Sequence, residues 1–241
     1  MSRTMTWRAM WRVSALVAGS ALAVLVVATA GPAQEARAAT AEVRAGVLLS
    51  TRVAVRSKPS RSAPVVKTLR QFRPDFRPTT LLVLGETKGA RGARWLRVSL
   101  PMGPNGRTGW VPARSLQTWA VNRRVLVDLS SRTLRVVERG KTRLTTKVAV
   151  GKRGAETPVG RFYVTAAFRP KESFYGSWAL ETSAYSRLSD WPGGGVVGIH
   201  GTSMPSLLGQ AVSHGCVRVS NTAATVLRRL VRPGTPVQVV R

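Results

Sequence analysis

The 241 residues contain one cysteine, two histidines and ten acidic side chains, against 38 lysines and arginines. A single cysteine, Cys216, rules out an internal disulfide. In an exported protein, a leftover cysteine points to an intermolecular bridge or a reactive thiol, and the alternative is a buried, inert small hydrophobe. The shortage of acid leaves a formal charge of +28. Exported proteins this basic work beside something anionic, such as wall polymers, lipid headgroups or nucleic acid. Removing residues 1–39 takes away four arginines and Glu35 and leaves +25, divided into +12 over 40–118 and +13 over 119–241. An even spread argues against a docking stripe and for retention in an anionic matrix. With no recognition motif either, nucleic acid is not an expected partner. There are no internal repeats, and no low-complexity tract follows the first forty residues.

Those first residues read as a targeting segment. Arg3, Arg8 and Arg12 flank an uncharged apolar stretch from Val13 to Ala30, and Ala36-Arg37-Ala38 has the small-x-small form of a cleavage site. The pattern predicts a signal peptide over 1–39, cleaved near Ala38 or Ala39, and a mature protein on the outer face of the cytoplasmic membrane or in the cell wall. The apolar stretch is at the lower limit for crossing a bilayer and is weakened by Ser14, Gly19, Ser20 and Thr29. A membrane is therefore expected as a partner only if the segment stays uncleaved. No cysteine follows it, which excludes a lipid-anchored lipoprotein.

Residues 40–118 read as short strands between turns, at Val53 to Arg56, Val65 to Leu69, Leu81 to Leu84, Trp95 to Val98 and Gly109 to Pro112. An irregular proline-rich run covers Phe72 to Pro78. Pro104-Asn105-Gly106 predicts a type I′ hairpin turn. Five or six short strands suggest a small barrel. Ala54-Val55-Arg56-Ser57-Lys58-Pro59, Trp95-Leu96-Arg97-Val98 and Gly109-Trp110-Val111-Pro112 resemble a bacterial Src-homology-3-like domain. The resemblance implies either binding of wall peptide or positioning of a catalytic domain.

Residues 119–241 form a second β-rich block. Strands are expected at Arg124 to Leu129, Leu134 to Glu138, Leu144 to Val150, Phe162 to Val164, Val196 to His200 and Val237 to Val240. Residues 168–195 look irregular, as a lid or binding surface would. One helix is expected over Thr222 to Val231, capped by Asn221 and stopped by Pro233-Gly234.

His200, His214 and Cys216 are the whole inventory of their residue types and lie within 17 residues. Three readings compete: a nucleophile with its base, a metal site, and buried structural residues. A thiol needs deprotonation, and a nearby imidazole is the usual means. If 214–216 is extended, His214 and Cys216 share a face but are separated along the strand. His200 ends an apolar strand and can approach Cys216 across a strand pair, where facing side chains come closer. His200 is therefore the expected base, with His214 shaping the site. The amides of Gly215 and Cys216 are candidate oxyanion donors, and Gly215 lets substrate approach the backbone. A zinc site would use the same atoms but lacks the ligand pairs of structural zinc motifs and any adjoining acid. Neither metal nor cofactor is expected.

Ile199-His200-Gly201-Thr202 followed by Ser213-His214-Gly215-Cys216-Val217-Arg218 resembles the signature of L,D-transpeptidases with the YkuD-type catalytic domain. Val150-Gly151-Lys152, Thr157-Pro158-Val159-Gly160, Phe174-Tyr175-Gly176 and Pro233-Gly234-Thr235-Pro236-Val237 match in the same order. The resemblance implies a mainly β protein, its catalytic domain β-sandwich-like with one C-terminal helix. It also implies a peptidoglycan transpeptidase acting on donor and acceptor stem peptides. Cys216 would attack at the third stem residue and expel D-alanine, and an amine of a neighbouring stem would resolve the thioester. His200 would be the base, oriented by the carbonyl of Gly201. Arg218 would meet a stem carboxylate, with Ser213 and Gly215 in the same binding segment. Hydrolysis of the same thioester would make the protein an L,D-carboxypeptidase, and a dormant site would leave a wall-binding protein.

Overall fold

The computed structural model describes residues 42–186, 188 and 194–241. The expected signal segment lies outside them, as do residues 187 and 189–193 of the stretch expected to be irregular. Seven strands make the first sheet: β1 (Arg44–Leu48), β2 (Arg52–Arg56), β3 (Val65–Arg70), β4 (Thr80–Lys88), β5 (Arg94–Ser99), β6 (Thr108–Pro112) and β7 (Leu116–Ala120). They pair in the order β3-β2-β6-β5-β4-β1-β7, antiparallel throughout. Val53, Val55, Leu81, Leu96, Val98 and Val111 are buried and fill a core belonging to this sheet.

The Asn105-Gly106 turn differs from the expected I′ type. That type needs positive φ at both central residues. Here Gly106 has φ +84° while Asn105 is not left-handed, and the connection spans residues 100–107.

The later strands are β8 (Arg123–Asp128), β9 (Thr133–Glu138), β10 (Lys141–Lys147), β11 (Val150–Gly151), β12 (Gly160–Phe168), β13 (Ala179–Tyr185), β14 (Val196–His200), β15 (Ala211–Ser213), β16 (Val217–Arg218) and β17 (Pro236–Val240). Eight of them form a mixed sheet in the order β10-β9-β8-β17-β12-β13-β14-β16, and β11 pairs separately with β15. The last strand, β17, inserts between β8, to which it runs parallel, and β12. Alternation places Val125, Val127, Val237 and Val239 on one buried face. Against it packs α1 (Asn221–Leu230), through Ala223, Ala224 and Leu227.

The protein is thus mainly β, and among the described residues α1 is its only α-helix. The helix cap is Ser220, whose hydroxyl accepts the Ala223 amide at 3.1 Å. Asn221, the expected cap, is one residue too far on and serves the site instead. The described part of the stretch 168–195 is more regular than its composition suggests. It holds a 3-10 turn at Ser173–Tyr175 and all of β13.

The first sheet is tied to β12 and β13. Arg73 Nη2 lies 2.7 Å from Glu181 Oε1. The Tyr163 hydroxyl donates to the Ser99 carbonyl at 3.3 Å. Asn105 makes two bonds to the backbone of Tyr185.

Candidate active site

β14 and β16 run parallel, with Ile199 facing Val217 and His200 facing Arg218. Continuing that register by one residue sets Cys216 beside Gly198, whose amide donates to Sγ at 3.4 Å. Alternation then puts Gly198, His200, Cys216 and Arg218 on one face of the strand pair. The residue directly opposite His200 is Arg218, and Cys216 sits on the diagonal. Such a pair is roughly 7–8 Å apart at the backbone, within reach of long side chains. Position 198 has no side chain, so nothing from the strand stands between thiol and imidazole.

His200 is 1% exposed. Its Nδ1 lies 2.6 Å from the Gly201 carbonyl oxygen. A carbonyl can only accept, so Nδ1 carries a proton, and in the neutral ring the lone pair is then on Nε2, the tautomer a general base requires. The ring is set edge-on to Tyr175, centroids 5.0 Å apart, with Phe174 at 6.5 Å.

Gly201 is held in turn by Asn221. The Asn221 amide accepts from Ser177 N at 2.9 Å and donates to the Thr202 carbonyl at 3.1 Å. It fills the room that two glycines leave: a Cβ on Gly176 or on Gly201 would stand 2.2 Å from Asn221 Oδ1.

The segment carrying the nucleophile is a pinned turn and not an extended strand, because Gly215 has φ +116°. The common face considered for His214 and Cys216 is therefore lost. His214 is exposed, whereas Cys216 is 4% exposed. Ser213 Oγ donates to the Cys216 carbonyl at 2.6 Å and accepts the Gly215 amide at 3.2 Å. The Gly215 amide is thereby engaged inside the turn. From outside, Thr157 Oγ1 donates to the Gly215 carbonyl at 2.9 Å and accepts the Gly151 amide at 3.0 Å.

Arg218 is 8% exposed, and its backbone is bridged to Ala149. Its guanidinium carbon stands 4.7 Å from the Phe174 ring centroid. Its Nε is buried with no hydrogen-bond partner, and Arg218 is absent from the ion pairs among the described residues. A buried cation without an anion is costly unless a ligand supplies one.

The structure therefore gathers His200, Gly201, Ser213, Gly215, Cys216 and Arg218, and leaves the His214 side chain at the surface. Thr157 and Asn221 join them without having been singled out. Thr157 lay in a quoted motif and Asn221 was read as a cap, so the signal for each was present but assigned elsewhere. Among the described residues no three His, Cys, Asp or Glu side chains converge as a metal-binding group.

A buried thiol, a buried imidazole whose Nδ1 is tied to a backbone carbonyl and a buried cation on one sheet face have the make-up of a cysteine-dependent enzyme of acyl transfer. Comparison with known proteins gives the family. The profile of the L,D-transpeptidase catalytic domain, YkuD, matches residues 122–239. The YkuD protein of Bacillus licheniformis is 32% identical over 174 residues, covering 72% of this chain and 93% of its own. That of Bacillus subtilis is 32% identical over 117 residues, 48% of this chain and 65% of its own. A crystal structure of a cysteine-to-serine mutant of the Enterococcus faecium L,D-transpeptidase is 25% identical, with a TM-score of 0.40, over half of each chain. The chain belongs to the YkuD family of L,D-transpeptidases.

Proposed function

We propose that this L,D-transpeptidase is exported and cross-links peptidoglycan stem peptides, with Cys216 as nucleophile and His200 as base. The observation that carries the reading is the fixed tautomer of His200 on the thiol's own sheet face. His200 Nε2 takes the thiol proton, and Sγ attacks the carbonyl of the third residue of a tetrapeptide stem. The oxyanion forms against the backbone of the Ser213–Cys216 turn. The tetrahedral adduct collapses to a thioester, and the proton on Nε2 passes to the departing D-alanine amine. An acceptor amine then attacks the thioester, gives its proton to Nε2 and releases the thiolate, which takes that proton back. Arg218 binds a carboxylate of the donor stem by charge-assisted hydrogen bonds.

The sheet Arg44–Ala120 is read as a Src-homology-3-like module, supported by its short strands and separate core. A groove of about 630 Å³ lined by Arg44, Arg61, Arg94 and Arg114 supports retention by anionic wall polymer. Export rests on the pattern of residues 1–39.

Mass spectrometry of purified protein with a tetrapeptide muropeptide and an acceptor tests the reading. A cross-linked dimer lost in Cys216→Ala supports it. Tripeptide alone would make the enzyme a carboxypeptidase, and binding without turnover would remove both activities.

A further inference from the structure

The β5–β6 connection of the first sheet bonds to Tyr185, a residue that packs beside Cys216. Asn105 Nδ2 donates to the Tyr185 carbonyl at 2.8 Å, and Asn105 Oδ1 accepts the Tyr185 amide at 2.8 Å. The side-chain amide thus satisfies both backbone groups of one residue, as a neighbouring strand would. The Tyr185 side chain lies beside Gly103 of the same connection, its Cβ, Cγ and Cδ1 each 4.0 Å from where a Gly103 Cβ would stand. Tyr185 packs against the apolar cluster of Ala179, Val196 and Cys216. The next residue, Ser186, donates its amide to the Gly195 carbonyl at 2.7 Å. The Ser186 hydroxyl sits 3.0 Å from where a Cβ on Gly215 would be, so this corner abuts the residue before the nucleophile.

We infer that Asn105, eighty residues from Tyr185 in sequence, is a positioning residue: it fixes the Tyr185–Ser186 corner that packs beside Cys216 and shields the thiol from water. The first sheet is on this view a structural part of the active site, besides anything it binds. Asn105 acts through Tyr185 and touches no reacting atom. This deepens the transpeptidase reading and rests on it for the product ratio, though not for the state of the thiol. A thioester shielded by that corner waits for an amine, whereas an opened pocket admits water.

The test uses the full chain and three proteins: wild type, Asn105→Ala, and Tyr163→Phe, which removes another tie between the sheets and leaves both Asn105–Tyr185 bonds in place. Cys216 is the only cysteine, so iodoacetamide alkylation reads its accessibility without any substrate. Asn105→Ala should alkylate roughly fivefold faster or more, because it removes both side-chain bonds that hold the Tyr185 backbone beside the Cys216 cluster. With muropeptides its product should shift from cross-linked dimer toward tripeptide, through kcat more than KM. Tyr163→Phe should match wild type in both assays. Alkylation and product ratio within twofold of wild type in Asn105→Ala, or an equal change in Tyr163→Phe, would overturn the inference. If wild type makes neither product, the functional reading fails while the alkylation comparison still decides the role of Asn105.

Discussion

Replacing Arg218 with Gln should separate function from stability. Arg218 is 8% exposed, its Nε has no hydrogen-bond partner, and its guanidinium lies over the Phe174 ring. Removing a buried charge with no anion is neutral or stabilising, by up to about 1 kcal/mol on the low side of measured cases. Losing the cation–π contact takes back about 0.5–2 kcal/mol. The net lies between about +0.5 and −2 kcal/mol, so Tm should fall by no more than about 8 °C. Catalysis has no such cancellation. A carboxylate that accepts one or two charge-assisted bonds from Arg218 loses about 2–4 kcal/mol of binding, or roughly 30- to 1000-fold in kcat/KM. Arg218→Lys keeps the charge without the planar fork and should fall between. The assays are calorimetry and steady-state D-alanine release from a tetrapeptide stem. A large fall in Tm with unchanged kcat/KM per folded molecule would show Arg218 to be structural and refute the assignment.

Thr157→Val should strand the Gly215 carbonyl and the Gly151 amide, lowering stability by about 2–4 kcal/mol and activity with it. Thr157→Ser should restore both in denaturation and turnover assays. Gly201→Ala must push its loop away from Asn221 and drag the carbonyl from His200 Nδ1, with a loss of kcat on the order of 100-fold in the same turnover assay. Burial raises the Tyr163 hydroxyl far above its ordinary pKa of 10.0. The unfolded chain therefore ionises first, and this contribution, intact below pH 10.0, is lost as pH rises above it. Denaturant titrations from pH 9 to 11 should show a shallower decline in Tyr163→Phe, by about one ionisable group.

What the sequence showed depended on period and on local motifs. β14 stood out because Val196-Val197-Gly198-Ile199, which His200 ends, is an unbroken apolar run, as a strand buried on both faces is. β13 did not, since its buried positions are filled by Ala, Thr and Ser as well as Leu. β1 was hidden by Gly46, a position where a Cβ would meet the Gln117 carbonyl at 2.8 Å. Cys216, His200 and the Gly201 carbonyl could be named from a local motif. Thr157 and Asn221 act across 58 and 44 residues, through backbone groups that no sequence pattern marks. Asn105 was read as a turn former because an Asn-Gly pair ordinarily is one. Its partner in the other sheet takes the side chain instead.

The central claim is that Cys216 carries the acyl group. Wild-type protein mixed with a tetrapeptide stem and no acceptor amine, quenched in acid and digested, provides the direct measurement. The account predicts an adduct on the peptide containing Cys216, with the mass of the stem lacking D-alanine and an equal yield of free D-alanine. His200→Gln should slow its formation and Cys216→Ala should abolish it. D-alanine release that persists in Cys216→Ala would contradict the account.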